Sequence, residues 1–180
     1  VSKNNFPGVI LGLSGGIDSA FCAAVAVDAL GKDKVEAYML PSNYTSENST
    51  IDAEDCANRL EINLETIPIS DTFLSLEESL KTSFKGLPND ITEENLQSRI
   101  RGTILMAISN KKGKMLITTG NKSEVSVGYS TLYGDMNGGF NPIKDIYKTE
   151  LYALANWRNV NLPNNILLDK KDVIPASIIS

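Results

Sequence analysis

The stretch Val9-Ile10-Leu11-Gly12-Leu13-Ser14-Gly15-Gly16-Ile17-Asp18-Ser19 decides how this chain folds. An apolar run short enough to be a buried strand passes through two adjacent glycines into a run with helical character, 18–30. Such a turn aims several backbone N–H groups and the positive end of a helix at one point, which is what a polyphosphate needs. The usual GxxxxGK[ST] loop holds the terminal phosphates with a lysine. Here an acid, Asp18, stands where that lysine would be. An acid beside phosphates makes sense if it carries a divalent cation, so the chemistry concerns the whole pyrophosphate rather than transfer of the last phosphoryl group. The plainer alternative is a Ser/Gly turn joining a strand to a helix.

Working outward, further apolar runs bounded by turn residues occur at 35–40, 64–69 and 115–118, and helical stretches at 49–60, 73–84 and 92–110. Strand and helix alternate. The pattern predicts an α/β fold with a mainly parallel sheet, helices on both faces and ligands at the carboxyl ends of the strands. Thr92-Glu93-Glu94-Asn95 opens the last of these helices with acids in its first turn. Leu96, Ile100, Ile104, Ala107 and Ile108 form its apolar stripe, with Arg99 and Arg101 on the two flanks. Those arginines are either solvated surface or, along one edge, reach the phosphate-binding end of the sheet.

After the strand at 115–118 comes Thr119-Gly120-Asn121-Lys122-Ser123-Glu124, a second strand-turn-helix transition at the same edge of the sheet. Two such turns side by side can enclose a nucleotide. Glu124 is either an ordinary first-turn acid or, opposite Asp18, completes an oxygen-ligand set for Mg²⁺ shared with phosphate oxygens. The glycine-rich stretch 129–142 is either a surface connection or, through Tyr129, Tyr133 and Phe140, a floor for a flat ring. A helix follows to about Trp157, and 160–180 reads as an irregular exit segment without chemistry.

The chain has 180 residues, 42% of them hydrophobic and 22% charged, enough for one globular domain with a sizeable core. A net charge of −5 with scattered basic residues disfavours nucleic-acid binding. No membrane span or signal peptide is visible, and Cys22 and Cys56 read as buried thiols of a cytoplasmic protein. There is no histidine, so Ser-His and Cys-His nucleophile systems are excluded. Carboxylates, Lys, Arg, hydroxyls and backbone amides remain for catalysis.

The string SGGIDS resembles the PP-loop of ATP pyrophosphatases, which split ATP between its α and β phosphates. With GLSGGIDSA, LPSNYTSENS, NLQSRIRG, TTGNKSEVSVGYSTLYGDMNGGFNPIKD and IPASII, the likeness extends over nearly the whole chain to the synthetase domain of NAD synthetases, especially their glutamine-dependent branch. That resemblance implies a five-stranded, Rossmann-like sheet of the adenine nucleotide alpha hydrolase kind. It also implies ATP-dependent amidation of nicotinic acid adenine dinucleotide to NAD, through an adenylylated nicotinate and with release of AMP and pyrophosphate. Other PP-loop amide-forming ligases, such as GMP-synthetase-like enzymes, and non-catalytic adenine-nucleotide binders are the competing classes.

Carried over by motif, Gly12, Leu13, Ser14, Gly15, Gly16, Ile17, Asp18 and Ser19 would hold ATP, with Thr119 and Lys148. Asp18 and Glu124 would bind Mg²⁺. Asn95, Arg99, Glu124 and Tyr129 would contact the dinucleotide, and Asp135 would stand near the incoming ammonia. Asp18, Lys148 and Asp135 would thus be the catalytic residues. Leu132 and Gly139 stand where the ammonia-only branch tends to have a lysine and an aspartate, which favours the glutamine-dependent branch. The resemblance also implies a homodimer or higher homo-oligomer, an amino-terminal glutaminase domain in the same polypeptide, and a loop beyond Ser180 that closes over ATP. Residues 1–180 are accordingly expected to be a single domain and a fragment of a longer chain.

Overall fold

In the computed structural model, which describes residues 1–180, four strands pair in the order β3-β2-β1-β4, all parallel. They are β1 (Val9–Gly12), β2 (Val35–Met39), β3 (Asn63–Thr66) and β4 (Met115–Ile117). Val9, Ile10 and Leu11 are fully buried, as a central strand covered on both faces must be. The chain lays down β1, β2 and β3 outward in one direction, then returns to place β4 on the other side of β1. The strand order therefore reverses between β1 and β4, and a crevice opens beyond their carboxyl ends.

Seven helices cover the sheet: α1 (Ile17–Leu30), α2 (Glu47–Leu60), α3 (Ser70–Leu80), α4 (Ile91–Lys112), α5 (Lys122–Val127), α6 (Lys148–Val160) and α7 (Ala176–Ile179). On one face, Val9 and Leu11 join buried side chains of α1, α2, α6 and α7 in the larger core. On the other, Ile10, Tyr38 and Leu116 pack with Phe73 of α3 and with Ile100 and Leu105 of α4. No helix is long and apolar enough to cross a membrane. Cys22 and Cys56 are both buried and unpaired, and burial pushes the Cys56 thiol up to about 12.

Where elements differ from the sequence expectation, the cause is local. The sheet has four strands; at the place of a fifth, the chain makes one parallel bridge, Ile117 to Phe140. Gly139 N–H donates to the Leu116 carbonyl (2.8 Å) and Thr118 N–H to the Phe140 carbonyl (2.9 Å) before Pro142, which lacks an N–H, stops the pairing. β3 ends at Thr66 rather than at 69 because Pro68 has no donor, although Ile67 and Ile69 still donate to the carbonyls of Met39 and Pro41. Ser46 caps α2, its hydroxyl accepting from Ser49 N–H, and so starts that helix two residues early.

Between α6 and α7 the chain is irregular, as expected, but the segment ends in the short helix α7, and Leu168, Val173, Ile174 and Ile178 belong to the larger core. Arg158, only 3% exposed, holds it there. Its guanidinium donates to both oxygens of Asp28 (2.7 and 2.8 Å) and to the Lys170 carbonyl (3.0 Å). Asn159 next to it exchanges a pair of hydrogen bonds with the backbone of Ile174. At the opposite end of the sheet from the crevice, Glu36 accepts from Lys112, Lys114 and the Tyr38 hydroxyl. Partial burial opposes its ionisation, but these three donors together draw its carboxyl down to about 2.

Two outcomes follow for stability. Removing one partner of a buried ion pair leaves the other uncompensated, so Arg158→Met is expected to cost about 3–5 kcal/mol in urea denaturation, and Arg158→Met with Asp28→Leu to recover much of it. Glu36 has a depressed folded-state pKa. Its contribution is therefore full above the ordinary carboxylate range and is lost as pH falls toward 2. Glu36→Gln should flatten the acid side of the stability curve between about pH 4.5 and 2, read as unfolding midpoints across that range.

Candidate active site

The turn 13–16 lies at the crevice between β1 and β4. Leu13 N–H donates to the Tyr38 carbonyl (2.9 Å), fixing the exit from β1. Gly15 has φ +84°, and a Cβ there would collide with the Ser49 carbonyl, so glycine is required both by conformation and by space. The Ser19 hydroxyl donates to the Gly16 carbonyl and accepts from Ser14 N–H, which closes the turn on itself. Gly16, the N-cap of α1, brings no side-chain acceptor, whereas Ser46, Asp90 and Asn121 cap α2, α4 and α5. The first-turn N–H groups of α1 thus have no side-chain cap, the condition in which a helix N-terminus can take an anion. The Ile17 side chain is buried in the core and offers the crevice only its backbone.

Across the crevice, Asn121 caps α5 and is completely buried. Its amide nitrogen donates to Asp18 Oδ1 (2.7 Å), its amide oxygen accepts from Glu124 N–H (3.0 Å), and its own N–H donates to Glu124 Oε2 (3.2 Å). One residue therefore links Asp18 to Glu124. Burial, reinforced by the nearby charge of Asp18, raises the pKa of Glu124. Lys148 Nζ pairs with Asp18 Oδ2, and Lys148 N–H donates to the Ser123 hydroxyl (3.0 Å). A lysine in the first turn of α6 faces the unfavourable end of the helix dipole, and Asp18 is the charge that offsets it.

Two cavities open on this arrangement. The first is lined by Gly12, Leu13, Ser14 and Ser19, with Tyr38 and Leu105 behind them and Thr119 opposite. The second lies between α4 and the 128–136 loop and takes in Asn95, Ser98, Glu124 and Tyr129. Arg101, Asp135 and Met136 line both. The Ser98 hydroxyl donates to Asp135 Oδ1 (2.9 Å) and accepts from Asp135 N–H (3.2 Å). Gly102, one turn further along α4, lies against the Gly134 carbonyl with no room for a Cβ. Ser98 and Gly102 form the seat that carries Asp135.

Of the residues named from sequence, Asp18, Lys148 and Glu124 gather around Asn121, while Asn95, Glu124, Tyr129 and Asp135 share the second cavity. Arg99 lines neither cavity; its Nε donates to the Leu132 carbonyl (3.1 Å) at the surface. Tyr129 lines the second cavity without Tyr133 or Phe140, so these three aromatics do not form one floor. Asn121, Ser98 and Gly102 have no role in the sequence reading, and Arg101 appears there only as one of two flank arginines, either of which could reach the phosphate-binding end of the sheet. The Asn121-x-x-Glu124 spacing of a capping box and the Ser98/Gly102 pair of small residues four apart were the available signals.

A glycine turn opening a helix at the switch point of a parallel sheet, faced by a carboxylate pair and a lysine, is the geometry of nucleotide-binding α/β domains. Residues 1–173 match the family described as NAD synthase, and the chain belongs to that family. It is 52% identical over 177 residues to the glutamine-dependent NAD(+) synthetase of Rhodobacter capsulatus, covering 98% of this chain and 32% of that protein. With the enzyme of the same name from Thermotoga maritima it shares 55% over 159 residues, or 88% and 28% of the two chains. The chain thus spans about a third of the length of these curated relatives. The solved glutamine-dependent NAD+ synthetase from Acinetobacter baumannii, in complex with adenosine diphosphate, superposes with a TM-score of 0.93 at 49% identity, over 100% of this chain and 33% of that one. The NH3-dependent NAD synthetase from Campylobacter jejuni gives 0.81 at 34%, over 89% and 68%.

Because Asn121 carries a helix cap and the link to Asp18 at once, Asn121→Ala should cost about 1–3 kcal/mol in thermal or urea denaturation. Asn121→Asp keeps the cap but sets a carboxylate against Asp18. It should destabilise at neutral pH and regain stability as the added acid is protonated, read as melting temperature against pH.

Proposed function

We propose that this chain is the synthetase domain of an enzyme that amidates nicotinic acid adenine dinucleotide to NAD at the expense of ATP, yielding AMP and pyrophosphate. The observation that carries this reading is the meeting of the two cavities at Arg101, Asp135 and Met136. A nucleotide held at the Ser14–Ser19 turn and a second ligand held by Asn95 and Tyr129 then have their reactive ends at one place. Family membership and the likeness to glutamine-dependent and ammonia-dependent relatives support the same assignment.

In the first step a nicotinate carboxylate oxygen attacks the α-phosphorus of ATP, the bond to the bridging oxygen breaks, and pyrophosphate leaves with the electron pair. The free N–H groups of α1, the Ser14 hydroxyl and Lys148 are the donors and the cation that meet the phosphate charge. In the second step ammonia attacks the activated carbonyl carbon and AMP departs. Asp135 is the base for ammonium, and Ser98 fixes its orientation.

Asp18 and Glu124 suit Mg²⁺: they are two hard carboxylates joined through Asn121, and Glu124 is raised in pKa beside Asp18, a charge conflict that a cation relieves. Two carboxylates leave the rest of the shell to phosphate oxygens and water. When bound, Mg²⁺ neutralises charge on the phosphates. Free buried thiols fit the cytoplasm. Exposed Val125, Val127 and Leu132, next in sequence to the lining residues Glu124, Gly128 and Thr131 of the second cavity, support a homo-oligomer, and the relatives' greater length supports a glutaminase domain in the same polypeptide.

The full-length polypeptide, given Mg-ATP, nicotinic acid adenine dinucleotide and ammonium, should form NAD, AMP and pyrophosphate in equal amounts. Replacing ammonium by glutamine identifies the ammonia source. AMP formed only with another carboxylate or carbonyl acceptor would point to a different PP-loop ligase. Asp18→Asn should lower turnover by about 100-fold or more with an unchanged circular dichroism spectrum, and near-normal turnover would remove Asp18 from the metal site.

A further inference from the structure

We propose that Arg101 is a catalytic residue of the first step, its guanidinium binding the non-bridging oxygens of the α-phosphoryl group during transfer from pyrophosphate to the carboxylate. This inference rests on the functional reading above. It begins with how the chain uses its four arginines. Arg158 is spent on Asp28 and backbone carbonyls, Arg59 on Asp55 and Asp172, and Arg99 lies at the surface on the Leu132 carbonyl. Arg101 lines both cavities, and its side chain is 26% exposed.

Its anchoring leaves the working end free. Arg101 Nε donates to the Leu40 carbonyl at the end of β2 (3.0 Å), which fixes the plane of the group. The terminal nitrogens Nη1 and Nη2 have no hydrogen-bonded protein partner, and the nearest anion, Asp135 Oδ2, stands 3.9 Å from Nη1. Asp135 is itself engaged by Ser98. A planar fork held by one nitrogen, with its other donors open at the junction of two cavities, suits an equatorial pair of phosphoryl oxygens. Burial also lowers the pKa of Arg101, the signature of a cation that gains from an added anion.

In the transfer, the carboxylate oxygen forms its bond to the α-phosphorus as the bond to the pyrophosphate oxygen breaks, and that oxygen keeps the electron pair. No proton moves. Negative charge on the non-bridging oxygens is shared between the two cavities, where Arg101 stands and the Ser14–Ser19 turn reaches from one side only. Charge stabilisation of this kind raises the rate of the step more than it tightens the ground-state complex.

The test uses the full-length polypeptide. Single-turnover pyrophosphate release with saturating ATP and nicotinic acid adenine dinucleotide is compared with ATP affinity by calorimetry. Arg101→Met should slow release by about 100-fold while ATP affinity changes less than about fivefold, and Arg101→Lys should recover part of the rate. Should Arg101→Met fail to fold, Arg101→Gln, which keeps a donor for Leu40, carries the same expectation. A release rate within threefold of wild type, or a loss confined to ATP affinity, overturns the role of Arg101 alone. Wild-type protein that releases no pyrophosphate with this acceptor overturns the functional reading and this proposal with it.

Discussion

Asn121 has no contact with solvent and uses both ends of its amide at the crevice between β1 and β4, toward Asp18 on one side and the first turn of α5 on the other. A buried amide is tolerated only when its donors and acceptors are met, and here they are met by the Asp18 carboxylate and the Glu124 backbone N–H, from two distant parts of the chain. The link holds Asp18 in line with Lys148 and brings Glu124 within electrostatic reach of both. Without it, two carboxylates would face each other across a crevice with only Lys148 between them. The sheet places the two turns side by side, but Asn121 makes them one site.

The same economy appears in α4. Its buried side chains, Ile100 and Leu105, fix the rotation of the helix on the sheet. That rotation turns Arg101 inward to the cavities and Arg99 outward to the 132 loop. Ser98 and Gly102, on an edge where larger side chains would not fit, accept the backbone of Gly134 and Asp135. A single helix thereby sets the position of an acid, a cation and the loop that joins them.

The turn at Ser14–Ser19 and the parallel alternation were legible in the sequence because each signal is local: glycines at a strand end, an apolar run, a helical period. Which arginine of 99 and 101 faces the cavities was not, because residues two apart on a helix point about 200° apart and only tertiary packing chooses between them. The stripe read from sequence included Ile104 and Ile108 but omitted Leu105, one of the residues that make that choice. Residues 160–180 hid their core positions for a related reason, since irregular backbone buries Leu168, Val173 and Ile174 without periodicity. That path is fixed by contacts far apart in sequence or outside any repeat: Arg158, paired with Asp28 130 positions away, holds the Lys170 carbonyl, and Asn159 holds the backbone of Ile174.

The two helices that border the crevice are built very differently. α1 presents a run of small residues, Ala20, Ala23, Ala24 and Ala26, and is buried on nearly every side, so it cannot shift without breaking the larger core. α5 is six residues long and has none buried. The crevice therefore has one stiff wall and one yielding wall. The buried α1 is built as an element that opens only with the whole core, and the exposed α5 as one that opens locally. A ligand meets a prepaid backbone surface on the α1 side, and the entropy lost on capture falls on the short helix that carries Glu124.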